Sequence, residues 1–475
     1  MGVKIVMTIC MLPLLLIMYA VLKFMGGEQR GTQYGVTMWT GANDSSQVQE
    51  IKKNYKKELN RITLFCFLLF LATLFPRYES LMITGQLLWV YLVIVLMSLP
   101  FARANGKMKA QKREYWNTLP QEEREAGKNV VLVDVTAAGT PKTKMFWKSV
   151  WGGIIFTALP VLAELYLNHV RPNPHDLNLW FCEAVLGSIA AAALLFPWYL
   201  HILAKQKTEV LTYNSQINIQ IARVRRYHWG KFCVAMTWLT GALNWGILVS
   251  FRIRGQGFFW MLMAVSMIYA AAGVILCFYC WRQSEKAARK YLGKEPVVCE
   301  DKDECWLWGI FYYNKADSRS RVDSRAGIGY TYNMAKPGIK YGMTVLIALC
   351  ILGTIVPCGW MILEEFTPIS LVYEDDVLIA DHWKEAYRIK EEEIERVVLL
   401  EEMPEITRRR GTGMERVMKG TFYSDRERRD YRVCLNPKEP PFLMIETKDG
   451  SWYLLGGNDG KETEEIYRDL HERTT

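Results

Sequence analysis

Histidine is scarce in this chain, with six among 475 residues, and none stands at zinc-finger spacing to a cysteine. There is no nucleophile elbow, no phosphate loop, no His-Glu-x-x-His and no nucleotide fingerprint. Gly327-Ile328-Gly329 has no strand before it and no third glycine, so it is not a dinucleotide loop. Paired acids or a Ser/His set at matching depth in the apolar spans are missing too, so no enzyme activity, no cofactor and no metal are expected. Eleven cysteines do not form a disulfide ladder. Most lie in or against apolar spans, where the thiol acts as a small hydrophobe, and Cys277-x-x-Cys280 reads as packing rather than as a redox pair.

Acid is also short over the first 363 residues, which hold 40 Lys and Arg against 22 Asp and Glu. Residues 364–475 reverse this, with 18 against 27. Such a partition predicts a basic, apolar membrane body followed by an acidic, water-soluble tail. The lipid bilayer accounts for the positive charge, so nucleic acid is not an expected partner.

Eight apolar runs are expected to cross the bilayer: Val3–Phe24, Ile62–Phe75, Leu81–Ala102, Phe146–Leu167, Leu177–Leu203, Phe232–Phe251, Phe258–Trp281 and Tyr341–Leu363. Each should be helical, because about 20 apolar residues match the hydrocarbon thickness and a helix satisfies its own backbone. The second run is the shortest. Before it, Ile51, Tyr55 and Leu59 recur at four-residue spacing among lysines, which predicts an amphipathic surface helix. Between spans three and four, Val130–Val133 is a short β-like run. Lys and Arg crowd the segments after spans one, three, five and seven, so those are assigned to the cytoplasm. Eight crossings then place the tail outside the cell membrane; loss of span two would place it inside. Domains are expected at 1–102 (spans one to three), 103–281 (spans four to seven), 282–340 (a cytoplasmic collar), 341–363 (span eight) and 366–475 (the tail).

The collar is too polar to span and too aromatic for an idle linker. Trp306, Trp308, Phe311, Tyr312 and Tyr313 come first, and Arg319, Arg321, Arg325, Lys336 and Lys340 follow. Rings and cations side by side suit a membrane–water interface. Trp306, Trp308, Tyr312, Tyr313, Arg319, Arg321 and Arg325 are therefore candidate interaction residues. The pattern W-x-W-G-x-F-Y-Y-N, then G-I-G-Y-T-Y-N, resembles a domain of unknown function from multi-pass membrane proteins of Gram-positive bacteria. Some relatives pair it with a segment of immunity proteins against sporulation-delaying toxin peptides. The resemblance implies a membrane role in immunity or signalling. In those relatives the loop after span four carries an L-P-x-x-[IV]-P-x-H motif, whereas here only a proline pair before His175 remains.

In the tail, eight short strands are expected, at Ile369–Tyr373, Val377–Ala380, Ala386–Ile389, Arg396–Leu400, Val417–Phe422, Tyr431–Leu435, Phe442–Ile445 and Trp452–Leu455. A helix should follow over Asp459–Arg473. A small β-barrel capped by a helix is expected, similar to the bacterial pleckstrin-homology-like domain that such relatives often carry at this end. Arg408, Arg409 and Arg410, with Arg426, Arg428 and Arg429, are expected as two basic loops between strands. They offer contact to an acidic group, or are solvated and balanced by neighbouring acids.

Within the spans, Glu164 lies one turn past Pro160, near the predicted outer end, where it either reaches headgroup water or serves a ligand or proton. L-P-x5-Y occurs at Leu12–Tyr19 and again at Leu159–Tyr166, a faint inverted repeat of the transporter kind. Two functions follow as expectations. One is a non-enzymatic membrane protein of signalling, sensing or peptide-immunity type, with a peptide or membrane-protein partner. The other is a transporter or export component.

Overall fold

The computed structural model describes residues 2–29, 31–39, 41–120, 145–170, 179–205, 211–253, 257–293, 302–327, 330–424 and 426–474. Val130–Val133, His175 and residues 328–329 of the glycine pair lie outside them. Ten α-helices are described: α1 (Gly2–Met25), α2 (Ser46–Ala72), α3 (Glu79–Thr118), α4 (Trp147–Val170), α5 (Leu179–Ala193), α6 (Leu195–Lys205), α7 (Ser215–Ser250), α8 (Gly257–Leu292), α9 (Pro337–Phe366) and α10 (Gly460–Thr474). Seven segments are long and apolar enough to cross a membrane: α1, α3, α4, the α5–α6 stretch Leu179–Lys205, α7, α8 and α9. The chain is accordingly read as a polytopic helical membrane protein. The expected eighth span falls in α2, whose apolar half is too short to meet that length.

The helices run on past the expected spans. The amphipathic segment and span two are a single helix, α2, and α3, α7 and α8 extend by several turns into Lys- and Arg-rich sequence. Lys, Arg, Glu and Gln are good helix formers, and they carry α3 past Pro100 and Gly106 and α7 through Gly230.

The residues divide into two compact units. The first is 1–18, 60–98 and 337–475; the second is 19–59 and 99–336. In the second unit, small residues let helices approach closely. Gly153 of α4 faces Thr237, and Gly241 of α7 faces Phe156. Buried Asn244 on α7 donates to the carbonyls of Thr157 (2.8 Å) and Leu186 (3.2 Å), tying α4 and α5 to α7.

In the first unit, the tail folds as two sheets. β7 (Ser370–Glu374), β8 (Val377–His382) and β9 (Glu385–Lys390) form an antiparallel meander. The six-stranded sheet has the order β10 (Ile394–Leu400), β14 (Phe442–Thr447), β15 (Trp452–Leu455), β13 (Arg429–Leu435), β12 (Met418–Ser424), β11 (Thr407–Gly413). β15 inserts between β13 and β14, so it pairs parallel with β13 and antiparallel with β14. Among the described residues the strands do not close into a barrel. The expected strands appear with shifted ends. A ninth, β11, occupies what was expected as the Arg408–Arg410 loop. Ile369, Leu371, Leu378, Ile389, Leu443, Ile445 and Leu455 make the main core, with Ile466 and Leu470 of α10 on it.

Candidate functional site

The collar is built from four very short strands. β3 (Trp306–Leu307) and β4 (Phe311–Tyr312) pair with Trp306 opposite Tyr312. Trp308 (φ 53°) and Gly309 (φ 74°) make the turn, and Ile310 N donates to Leu307 O at 3.2 Å. Positive φ at both central residues is the geometry favoured in tight hairpins. A Cβ on Gly309 would sit 2.4 Å from Tyr34 O, so the W-G step also answers a close backbone approach. β5 (Arg321–Asp323) and β6 (Tyr330–Tyr332) form the second hairpin. Asn333 is fully buried and staples the two together. Its Oδ1 accepts from Asn314 N (3.0 Å), and its Nδ2 donates to Asn314 O (2.8 Å).

A buried charge cluster holds the collar to its neighbours in the second unit. Asp303 accepts from Arg325, Lys112 and Thr37, and Arg325 also donates to Gly35 O at 3.1 Å. Gly35 and Thr37 flank or belong to the small hairpin of β1 (Thr32–Gln33) and β2 (Val36–Thr37). Farther along, α3 supplies Lys109, donating to Trp306 O (2.6 Å), and Asn105, donating to Tyr34 O (2.8 Å). Burial pushes the Asp303 carboxyl up, but the Arg325 and Lys112 cations outweigh that and hold it below the usual carboxylate range.

The seven collar candidates therefore split. Trp306 and Tyr312 are buried with ring centroids 5.3 Å apart, and buried Arg325 lies 5.2 Å over the Trp306 ring. These three are interior, contrary to their expected interfacial role, because each has a specific partner inside the fold. Trp308 (63 % exposed), Tyr313, Arg319 and Arg321 face outward. Arg319 pairs with Asp317 at 2.9 Å, and Arg321 lies over Tyr332. Asp303, Lys112 and Thr37 were not singled out from the sequence; no local pattern links three positions so far apart.

Glu164 does not reach headgroup water as one expectation had it: it is 0 % exposed. Its Oε2 pairs with Arg252, while Oε1 has no hydrogen-bond partner among the described residues.

In the first unit, Arg408, Arg409 and Arg410 lie on edge strand β11 rather than on a loop, and Arg429 opens β13. Arg409 pairs with Asp430 at 2.9 Å and lies 4.2 Å over the Tyr423 ring. The more tightly built feature is the end of α9. Buried Glu364 pairs with Lys419 at 3.0 Å and accepts from Thr412 Oγ1 at 3.1 Å. Buried Glu365 accepts from the first backbone N–H groups of α3, Glu79 N (3.0 Å) and Ser80 N (2.7 Å), which is a carboxylate cap. His382 Nε2 lies 3.1 Å from both Glu364 O and Thr367 O. Burial and then the Lys419 charge hold its imidazole below the usual range.

Comparison with protein-family models, with curated proteins and with solved structures finds no match.

Proposed function

We propose that the protein is a non-enzymatic membrane sensor of the signalling or peptide-immunity type, in which α3 carries a change in its tail to its collar. One observation supports this above all. α3 is a single 40-residue helix. Its first turn is capped by Glu365 at the root of the tail, and its last turns hold the collar through Asn105, Lys109 and Lys112. Pro100 interrupts the backbone ladder of this helix and offers a bending point. The tail is the interaction module, a divergent pleckstrin-homology-like fold of two sheets and a terminal helix. The test is amide hydrogen exchange on the full-length protein in a bilayer mimic. Glu365→Gln should quicken exchange across residues 302–327, which belong to the other unit. Unchanged collar exchange, with faster exchange confined to the α9 end, would remove the coupling.

The tail is proposed to lie outside the cell. Supporting this, Lys4 Nζ donates to Leu74 O (3.0 Å), and Tyr55 OH donates to Leu22 O (2.6 Å), so α2 lies antiparallel along α1 despite its short apolar run. Counting α2 beside the seven longer segments, eight crossings would separate the start of α1 from the end of α9, whereas seven alone would put the tail inside. Cys434 is no reporter of sidedness: it is buried, and burial pushes its thiol up to about 12. Arg388→Cys on exposed β9, with Trp308→Cys as the inner control, is the pair to label with an impermeant reagent.

A transporter is the second proposal, favoured by an oxygen of buried Glu164 that has no hydrogen-bond partner among the described residues. Glu164→Gln should alter substrate flux in proteoliposomes; unchanged flux removes the residue from any such role.

A further inference from the structure

We propose that the first unit carries a receptor site for a phosphate-bearing anion, presented by an anionic phospholipid headgroup, in the cleft between the α2–α3 turn and the β11–β12 turn. The cleft is about 220 Å³, roughly the liquid volume of seven waters. Its charged lining is Lys4, Arg77, Arg416 and Lys438 against Glu79 and Glu415. Both carboxylates are already engaged. Glu415 pairs with Lys438, and Glu79 Oε2 accepts from Glu415 N at 3.3 Å. Lys4, Arg77 and Arg416 have no carboxylate ion pair among the described residues. Arg416 lies over the Tyr78 ring at 4.8 Å, which uses the face of its guanidinium and leaves its N–H edge for an acceptor. An excess of two positive charges in a concave, partly enclosed site matches a phosphate mono- or diester.

The surroundings point to lipid as the source. Phe75, 81 % exposed, adjoins the turn, and exposed Phe366 packs tilted against Tyr78 at 4.5 Å between centroids. Aromatic side chains at helix ends, next to cations, are the arrangement of a headgroup layer.

The experiment uses full-length protein in neutral detergent, with native mass spectrometry of bound phosphatidylglycerol against phosphatidylcholine. Phosphatidylglycerol should be retained preferentially. Arg77→Gln with Arg416→Gln should lower its affinity about thirtyfold, at about 1 kcal/mol for each cation near a charged headgroup. Arg388→Gln, an exposed cation on β9 away from the cleft, should change nothing. Glu415→Gln removes an opposing charge and should raise the affinity several-fold. That arm decides the matter if the double variant fails to fold, and absence of a gain then overturns the site. Equal retention of the two lipids, or a folded double variant that binds like the parent, overturns it as well. Binding of soluble glycerol phosphate with the same dependence on Arg77 and Arg416, without phosphatidylglycerol retention, keeps the phosphate site and overturns its lipid source.

Discussion

The collar and the tail spend the same residue types in opposite ways. In the collar, Arg325 is sunk beneath Trp306 and closed off by Asp303, so a cation and a ring become core. In the tail, Arg409 also pairs with an acid and lies over a ring, but on an exposed edge strand. The contacts are alike and the energetics are not. Removing one partner of a buried pair strands a charge in low dielectric, whereas an exposed pair exchanges its partner for water.

The largest expected effect is therefore at Asp303. Asp303→Ala leaves Arg325 and Lys112 facing each other without an anion and should cost about 3–5 kcal/mol in the collar. Faster hydrogen exchange over residues 302–327 would show it; a collar as protected as the parent's would erase the contrast with the tail. An intermediate effect is expected at His382, which Lys419 and Glu364 face. Its folded-state pKa lies below the unfolded value, so the unfolded chain takes up the proton first as pH falls. Stability is fully present above about pH 6.5 and is lost as pH drops through that value, levelling off below the folded pKa. Exchange of the β8 amides at pH 8 and pH 5 measures this. His382→Gln, which keeps a donor for the two carbonyls, should flatten the dependence. The smallest effect is at Arg409→Gln, at most about 1 kcal/mol, because both partners are well exposed. A larger loss in thermal unfolding would mean that the β11 edge is as dependent on its charges as the collar is.

The helical spans were legible because runs of apolar residues have few alternatives to a helix in lipid. Their ends were not, since helix propensity carries α3 and α8 onward through charged sequence. Most tail strands announced themselves by alternation. β11 did not: Thr407–Gly413 offers three arginines and two glycines, and an exposed edge needs no apolar face. Glycines 411 and 420, at φ 114° and 110°, sit against each other across β11 and β12, a close approach with no sequence period to reveal it. In the collar, composition did not show which side chains face inward. What turns Arg325 inward is an aspartate 22 positions earlier, itself held by a lysine on α3, a cluster that only the folded backbone creates.

Asn333 imitates a peptide unit set sideways, matching the main chain of residue 314 instead of its side chain. Identity at 314 is thus free to drift as far as this seam is concerned. Aspartate at 333 would lose the donor and leucine would lose both halves, so the stitch tolerates no look-alike on that side.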